Sequence, residues 1–170
     1  YDGNEFKIYQ PSVVKINNLS NAFITSVAQD NDENIWVTTR KGLNRIDAAA
    51  DTTEIILPSP FENIKDLPGD LLWDILPDTD TSMWIAVDSK PFVQYNPVSK
   101  LFHYFDFKQY LKENNIEFTP VYHSILKILK KSPTELWLAT TEGIFSFNKG
   151  TGNFKLEYGV ALDNINYFYY

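Results

Sequence analysis

The chain has 170 residues, of which 44% are hydrophobic, 15% aromatic and 22% charged, enough apolar material for a packed core. Its net charge of −7 argues against binding to a nucleic-acid backbone or an anionic membrane. The absence of cysteine excludes disulfides and thiolate metal sites but does not select a compartment. No apolar run reaches the length of a spanning helix, and the first residues include no initiator Met or signal-peptide core. We therefore expect a soluble folded segment.

Three tryptophans, Trp36, Trp84 and Trp137, recur in the same sequence context. Aliphatic residues stand twelve and nine positions before each Trp, and an aliphatic and then a small residue follow it. A segment Gly-Leu-Asn-Arg-Ile-Asp begins six residues after Trp36 and matches Gly-Ile-Phe-Ser-Phe-Asn at the same distance after Trp137. The middle copy has one extra residue and no glycine here, so its turn needs another solution. This internal repetition indicates a repeat protein.

Each repeat contains four short runs of residues whose alternation predicts β-strands, separated by Asp, Asn, Gly, Pro and Ser. Four strands in roughly 40–50 residues are typical of a propeller blade, whereas a helical solenoid would need long stripes with a 3.6-residue period. We therefore predict an all-β fold of four-stranded blades. Since closed propellers have about four to eight blades, the chain would supply about three blades of a larger, seven-bladed propeller.

In chain order, residues 1–10 are expected to form the closing strand of a preceding blade. The three blades are predicted at residues 20–58, 68–105 and 120–158. Residues 106–119 form an insertion between the second and third blades that has the pattern of two helical turns, and residues 160–170 resemble the start of a further blade. The chain is therefore interpreted as a piece of a longer array.

The repeated Trp residues are expected to pack between blades, with each indole N–H donating to a backbone partner. Trp73 lies outside the repeated position and could instead project toward the channel or a neighbouring blade, with contact to a ligand as a further possibility. The acidic turn at Asp30–Asn34 and its echo at Asp78–Ser82 have a calcium-like spacing, but they lack the glycine and distal glutamate of an EF-hand loop. We therefore expect Asp30 and Asp78 to accept backbone hydrogen bonds that hold the turns, and we predict no metal site.

Catalysis has little support in the sequence. His103 and His123 are the only histidines, and neither stands in a Ser-His-Asp or metal-ligand pattern. Asp30 and Asp78 could in principle flank a glycosidic bond, but both occupy the same repeated turn of separate blades, which favours a structural role. We predict no catalytic residue and no cofactor in this segment.

Ligand-binding residues are expected mainly in the loops that follow the Trp strands, because these loops share one face of a propeller and differ in chemistry between copies. The candidates are Arg40, Lys41, Trp73, Asp88, Lys90 and Glu142, and Ser89 and Thr141 lie in the same loops. An ordinary solvated rim is the alternative for each of them. The insertion offers a second candidate, an aromatic platform with amides for a glycan, formed by Phe107, Tyr110, Asn114 and Asn115.

The first repeat, from Ser20 to Leu43, resembles the two-component-regulator propeller repeats found in the sensor regions of hybrid two-component systems. It has the Asn before the first strand, an Asp-rich turn, an Ile-Trp-Val-Thr strand and Gly-Leu, with Glu33 where the family usually has glycine. The third repeat keeps the Trp strand and Gly143 but has Lys131-Ser132-Pro133 in place of the acidic turn. The second repeat is the weakest copy, and the resemblance extends over nearly the whole chain.

The resemblance implies a periplasmic sensor region in which propellers and a further β-rich domain precede a transmembrane helix and a cytoplasmic histidine kinase. It implies a homodimeric receptor, oligosaccharides released from glycans as ligands, and contacts with the remaining blades and the downstream sensor domain. The predicted function is a non-catalytic ligand-sensing segment of such a receptor. A propeller glycan hydrolase or lyase, favoured by turnover of an oligosaccharide, and a protein-interaction scaffold, favoured by binding of proteins alone, are the alternatives.

Overall fold

The computed structural model describes residues 19–56, 71–79, 82–89, 91–116 and 124–159. Within these ranges the chain forms three four-stranded antiparallel sheets, each with its strands in sequence order. The first blade consists of β1 (Ile24–Gln29), β2 (Ile35–Thr39), β3 (Gly42–Asp47) and β4 (Thr52–Ile56). The second consists of β5 (Leu72–Thr79), β6 (Ser82–Val87), β7 (Phe92–Asn96) and β8 (Leu101–Phe105). The third consists of β9 (Ile125–Lys130), β10 (Glu135–Thr140), β11 (Gly143–Asn148) and β12 (Phe154–Gly159).

The predicted all-β propeller fold of four-stranded blades is confirmed. Residues 1–10 and 160–170 lie outside the described residues, so the closing strand and the start of a further blade stay predictions, as does the total blade number. The first blade belongs to one compact unit, and the second and third blades, from Trp73 onward, form another. No helix in the described ranges is long and apolar enough to cross a membrane.

The three repeated Trp residues occupy the same register position in each blade. Trp36 lies opposite Arg45, Trp84 opposite Gln94, and Trp137 opposite Ser146, each on the strand that follows. Because side chains alternate between the two faces of a strand, this shared register places the three indoles on the same face of their blades. The repeated sequence position of the Trp residues therefore corresponds to the same structural position in each blade.

The core of the second unit lies between the second and third blades. The Trp84 ring stacks on Phe92 at 5.3 Å and meets the edge of Phe147 from the third blade at 5.2 Å. Ile125 and Ile128, at the repeated aliphatic positions of the third blade, are buried in the same cluster. The packing of Trp84 between blades is thus confirmed. Trp36 is also buried, whereas Trp137 is only half-buried.

The insertion contains one helix, α1 (Phe107–Glu113), whose first turn is capped by Asp106. The Asp106 carboxylate accepts a hydrogen bond from the backbone N–H of Gln109 at 2.8 Å, as expected of an N-cap. Phe107 is 2% exposed and meets Phe145 of the third blade at 5.0 Å between ring centres. The prediction that Phe107 belongs to an aromatic platform for a ligand is therefore wrong, because its ring packs in the core.

The loop between the second and third strands requires left-handed backbone in each blade. Gly143 has φ of 140°, and a Cβ there would lie 2.1 Å from the carbonyl oxygen of Tyr158, so only glycine fits. Gly42 has φ of 115° at the matching position. The second blade has no glycine and instead places Ser89 in the left-handed region with φ of 52°. This is the different solution that its extra residue predicted.

Candidate functional site

A chain of hydrogen bonds connects the loops at one end of the second and third blades. The indole Nε1 of Trp73 donates to Asp88 Oδ1 at 2.8 Å, and Ser124 Oγ donates to the same oxygen at 2.8 Å. The backbone N–H of Ser89 donates to Ser124 Oγ at 3.2 Å. Asp88 follows β6 and Ser124 precedes β9, so these bonds join the two blades.

The hydrogen bonds continue through the loop after β10. The backbone N–H of Ser124 donates to Thr141 Oγ1 at 3.1 Å, and Thr141 Oγ1 donates to Glu142 Oε1 at 2.8 Å. We call Trp73, Asp88, Ser124, Thr141 and Glu142 the loop network. It brings together three residues that the sequence selected as candidates, Trp73, Asp88 and Glu142, although whether they contact a ligand stays a prediction.

Glu142 is the buried acid of the loop network, with 5% of its surface exposed. Its Oε2 atom is buried and has no hydrogen-bond partner among the described residues, while its backbone N–H donates to Thr140 Oγ1 at 3.1 Å. Burial raises the pKa of the Glu142 carboxyl, against the opposing effect of hydrogen bonds from Thr141, its own backbone and Thr140. An unpartnered buried oxygen is costly, so it is a position where a ligand group can add a hydrogen bond.

The other candidates do not belong to the loop network. Arg40 and Lys41 lie in the first blade, in the loop after β2, and both are exposed. The Arg40 guanidinium lies 4.3 Å from the ring centre of Phe23, where a cation–π contact holds it. The backbone N–H of Lys41 donates to Thr39 Oγ1 at 3.1 Å. Lys90 lies outside the described residues, and a binding role for all three stays a prediction.

Sequence reasoning missed Ser124 as a member of the site, whereas it had placed Thr141 in one of the candidate loops. The repeat did contain a signal, because the residue before the first strand meets the residue after the Trp strand in two blades. The backbone N–H of Thr141 donates to Ser124 O at 3.1 Å, and that of Arg40 donates to Phe23 O at 3.1 Å. Aligning these positions across repeats would have placed Ser124 beside Thr141.

The indole partner of the repeated Trp residues differs from the prediction. Trp36 Nε1 donates to Asp30 Oδ2 at 2.7 Å, and Trp84 Nε1 donates to Asp78 Oδ2 at 3.3 Å. The partner is thus a carboxylate six residues earlier in the chain, not the backbone. Lys131 replaces this Asp in the third blade, and its ammonium group lies 4.3 Å from the Trp137 ring centre.

The acidic turn of the first blade holds itself together as predicted. Asp30 Oδ1 accepts hydrogen bonds from the backbone N–H groups of Asp32 at 3.0 Å and Asn34 at 2.9 Å. Burial raises the pKa of Asp30, but the hydrogen bonds from Trp36, Asn34 and Asp32 outweigh it, so the pKa lies below its ordinary value. The described residues contain no group of three or more acidic or histidine side chains able to hold a metal.

Asp78 differs from Asp30, because its partners among the described residues are side chains rather than backbone groups. Lys149 Nζ donates to Asp78 Oδ2 at 2.7 Å, and Lys130 Nζ lies 3.7 Å from Oδ1. Burial raises the pKa of Asp78, but the hydrogen bonds from Lys149 and Trp84 and the charge of Lys130 outweigh this effect. The pKa of Asp78 therefore lies below its ordinary value. Residues 80 and 81 of this turn lie outside the described residues, so the expected backbone bonds to Asp78 stay a prediction. Asp78 also ties its blade to the third.

His103 is the histidine within the described residues, and it belongs to no group of three or more possible metal ligands there. His103 is exposed on β8, opposite Gln94 of β7. His123 lies outside the described residues.

Residues 18–41 match the model of the two component regulator propeller family. The first blade carries a two component regulator propeller repeat. The fold resembles that of the extracellular domain of a hybrid two component system from B. thetaiotaomicron, with a TM-score of 0.68 and 18% identity over 91% of this chain. A second such domain from the same organism gives a TM-score of 0.62 and 19% identity over 84% of the chain.

The chain spans 19% of the length of the first of these domains and 17% of the second, so it corresponds to a small part of either. No curated protein matches the chain. At these identities the structural similarity establishes the propeller fold, which agrees with the repeat in the first blade.

Proposed function

We propose that the chain is a non-catalytic, extracytoplasmic ligand-sensing segment of a hybrid two-component receptor, with an oligosaccharide released from a glycan as its ligand. The observation that carries the proposal is the loop network, which joins two blades and includes the unpartnered Oε2 atom of Glu142. The repeat in the first blade and the fold of the extracellular domains described above support a sensor role. The proposed location is the periplasm, with a histidine kinase domain following the sensor region.

The proposed contact is a hydrogen bond from a ligand hydroxyl to Glu142 Oε2. The carboxylate is already held by Thr141 through its other oxygen, so little side-chain freedom would be lost when the ligand binds. Because Oε2 is buried and unpartnered, the free protein bears a desolvation cost that a ligand donor would relieve. Trp73 and Asp88, which belong to the same network, would respond to any movement of the loop.

Signalling would follow from the way the network connects neighbouring blades. Ser124 belongs to the connection into the third blade, and Asp88 to a loop of the second. A ligand that binds better to one arrangement of these loops raises the population of that arrangement. In the proposed homodimeric receptor, the remaining blades and the downstream sensor domain would pass this bias to the kinase.

The proposal is tested by calorimetric titration of the purified chain with defined oligosaccharides. We expect binding without turnover, and a loss of affinity of about tenfold or more in Glu142→Gln, which keeps the shape of the side chain but removes the charge. Glu135→Gln is the matched control, since Glu135 lies at the other end of β10 and pairs with Lys131. This control should change the affinity less than twofold, that is by less than about 0.4 kcal/mol.

Several results would count against the proposal. Cleavage of an oligosaccharide by the chain would favour the enzyme alternative, and binding to proteins alone would favour a scaffold. Equal loss of affinity in Glu142→Gln and Glu135→Gln would remove the loop network as the site. In the receptor that carries this segment, equal affinity of the ligand for both signalling states would contradict the population-shift mechanism.

A further inference from the structure

An open cleft of about 490 Å³ lies between the second and third blades, at the opposite end of β6 from the loop network. Ser82, Gln94, His103 and Asn96 supply its polar walls. Trp84 borders the cleft but is only 1% exposed, whereas the Leu101 side chain, 60% exposed, offers an apolar surface. Its volume falls within the range of small-molecule sites. None of the candidate residues that the structure describes lines it.

The second blade departs from the first at one row of positions, and in the second blade this row borders the cleft. In the first blade this row carries Arg45, which donates to Asn34 Oδ1 at 2.9 Å and lies 3.9 Å from a carboxylate oxygen of Glu54. The register of the strands places Gln94 at the position of Arg45, and His103 at that of Glu54. A long ion-paired side chain is thereby replaced with shorter neutral polar groups.

The third blade also fills this row with charge. Ser146 Oγ donates to Glu157 Oε1 at 2.8 Å, and Lys131 and Lys155 lie 3.4 Å and 3.1 Å from the oxygens of that carboxylate. The second blade therefore differs from the other two by carrying the amide of Gln94 and the imidazole of His103 in this row.

The polar groups of the cleft are held in place before any ligand arrives. Gln94 Nε2 donates to Ser82 Oγ at 2.8 Å. Asn96 Oδ1 accepts hydrogen bonds from the backbone N–H groups of Val98 and Ser99, each at 2.9 Å. Fixed amides lose little conformational entropy on binding, so they can act as preorganised donors and acceptors.

The charge of the cleft is balanced. Asp78 is the acidic lining residue, and it is paired with Lys149 at 2.7 Å, with Lys130 3.7 Å away. A charged ligand would have to compete with this existing pair and give up its own hydration. A neutral ligand with several hydroxyl groups needs no such exchange, because each hydroxyl both donates and accepts a hydrogen bond.

We propose that this cleft binds a neutral polyhydroxylated molecule of the size of a mono- or disaccharide. Gln94, Ser82 and Asn96 would exchange hydrogen bonds with its hydroxyl groups, and the exposed Leu101 side chain would cover its apolar side. The inference is independent of the receptor proposal, because it concerns residues that the loop network does not include. If both are correct, the chain carries two sites at opposite ends of the same pair of blades.

The test is an NMR titration of the ¹⁵N-labelled chain with maltose. The chain has four Trp residues, so the indole signals are few, and that of Trp84 reports directly on the cleft through its bond to Asp78. We expect a saturable shift of the Trp84 indole signal with millimolar affinity and no comparable shift of the Trp36 signal. Inorganic phosphate should produce no saturable shift. Assignment of the Trp84 signal follows from its loss in Trp84→Phe.

Variants of the cleft separate specific binding from general effects. Gln94→Arg copies the first blade and should lower the affinity for maltose about tenfold or more by filling the cleft. His103→Ala removes an exposed lining side chain without disturbing the core and should lower the affinity severalfold. Lys155→Ala, at the matching position of the third blade, is the control and should leave the affinity within twofold, about 0.4 kcal/mol.

The proposal is overturned if maltose gives no saturable shift, if phosphate binds at least as well, or if Gln94→Arg and His103→Ala both bind like the parent chain. A loss of binding in Glu142→Gln with no loss in these two cleft variants would likewise assign the sugar to the loop network and reject the cleft. Conversely, if the cleft variants lose affinity for maltose while Glu142→Gln binds maltose normally, the cleft proposal is supported even where the receptor proposal fails.

Discussion

Replacement of Asp78 with alanine should destabilise the second unit by breaking a largely buried ion pair. Asp78 is 5% exposed and Lys149 is 14% exposed, so alanine leaves a largely buried ammonium group unpaired. It also removes the acceptor of the Trp84 indole. Removing one partner of a buried ion pair costs about 3–5 kcal/mol, and since Lys149 retains a path to water, we expect the lower end, about 3 kcal/mol.

Urea unfolding followed by Trp fluorescence measures this loss, which should lower the midpoint by about 1–2 M. Lys130→Met is the control, because Lys130 Nζ lies 3.7 Å from Asp78 and its side chain is 58% exposed, so its loss should cost less than about 1 kcal/mol.

Folding lowers the pKa of Asp78, so the stability that Asp78 contributes is present above its unfolded pKa and is lost as the pH falls through its folded pKa. The difference between parent and variant should therefore shrink in acid. A loss below about 1 kcal/mol at neutral pH, or an equal loss in Lys130→Met, would refute the reasoning.

Three further changes test the local structure. Glu33 has φ of 64°, so Glu33→Gly should raise the free energy of unfolding by about 1 kcal/mol, measured by thermal unfolding, and a destabilised variant would contradict it. Gly143→Ala should cost about 3 kcal/mol in the same assay because its Cβ would strike the Tyr158 carbonyl, whereas Gly150→Ala, with only a 3.5 Å contact, should cost far less. Folding raises the pKa of Glu142, so the free energy of unfolding falls as the pH rises through the pKa of the folded state. Glu142→Gln should therefore stabilise the protein at neutral pH but not below the ordinary glutamate pKa. A gain in stability that persists in acid would contradict this prediction.

The outcome at Glu142 would also separate stability from binding. If the carboxylate is kept for a ligand, Glu142→Gln should gain stability at neutral pH while losing affinity for the oligosaccharide. Functional sites commonly retain groups that cost stability in the free protein. A variant that gains stability and keeps its affinity would indicate that Glu142 has no part in binding.

The features that sequence reasoning predicted well are those with local causes. The carboxylate of Asp30 holds its own turn, and all of its backbone partners lie within four residues. Glu33, where the family usually has glycine, does adopt the left-handed backbone that glycine favours. By contrast, Asp78 has the same place in its repeat as Asp30 but pairs with Lys149, which lies 71 residues away. Its role could not be read from the repeat alone.

The candidate site likewise contains local features that the sequence predicted and distant contacts that it did not. The sequence placed Asp88 and Glu142 in loops that share one end of their blades, because alternation and turn residues fix where strands end. It did not identify Ser124 as the group that joins these loops, since that contact spans 36 residues from Asp88. Nor did it predict that Phe107 would pack beneath Phe145, because burial of a helix face depends on the neighbouring blade.

The sequence by itself determined the four-stranded repeat, its register and its turns, because strand alternation and turn chemistry act over a few residues. Only the tertiary structure decided which polar groups are buried and with what partners, since these contacts form when separate blades pack together. Glu142 has a buried oxygen without a hydrogen-bond partner among the described residues. Gln94 borders a cleft, whereas Arg45, at the matching position of the first blade, pairs with Glu54. Both follow from neighbours that are distant along the chain.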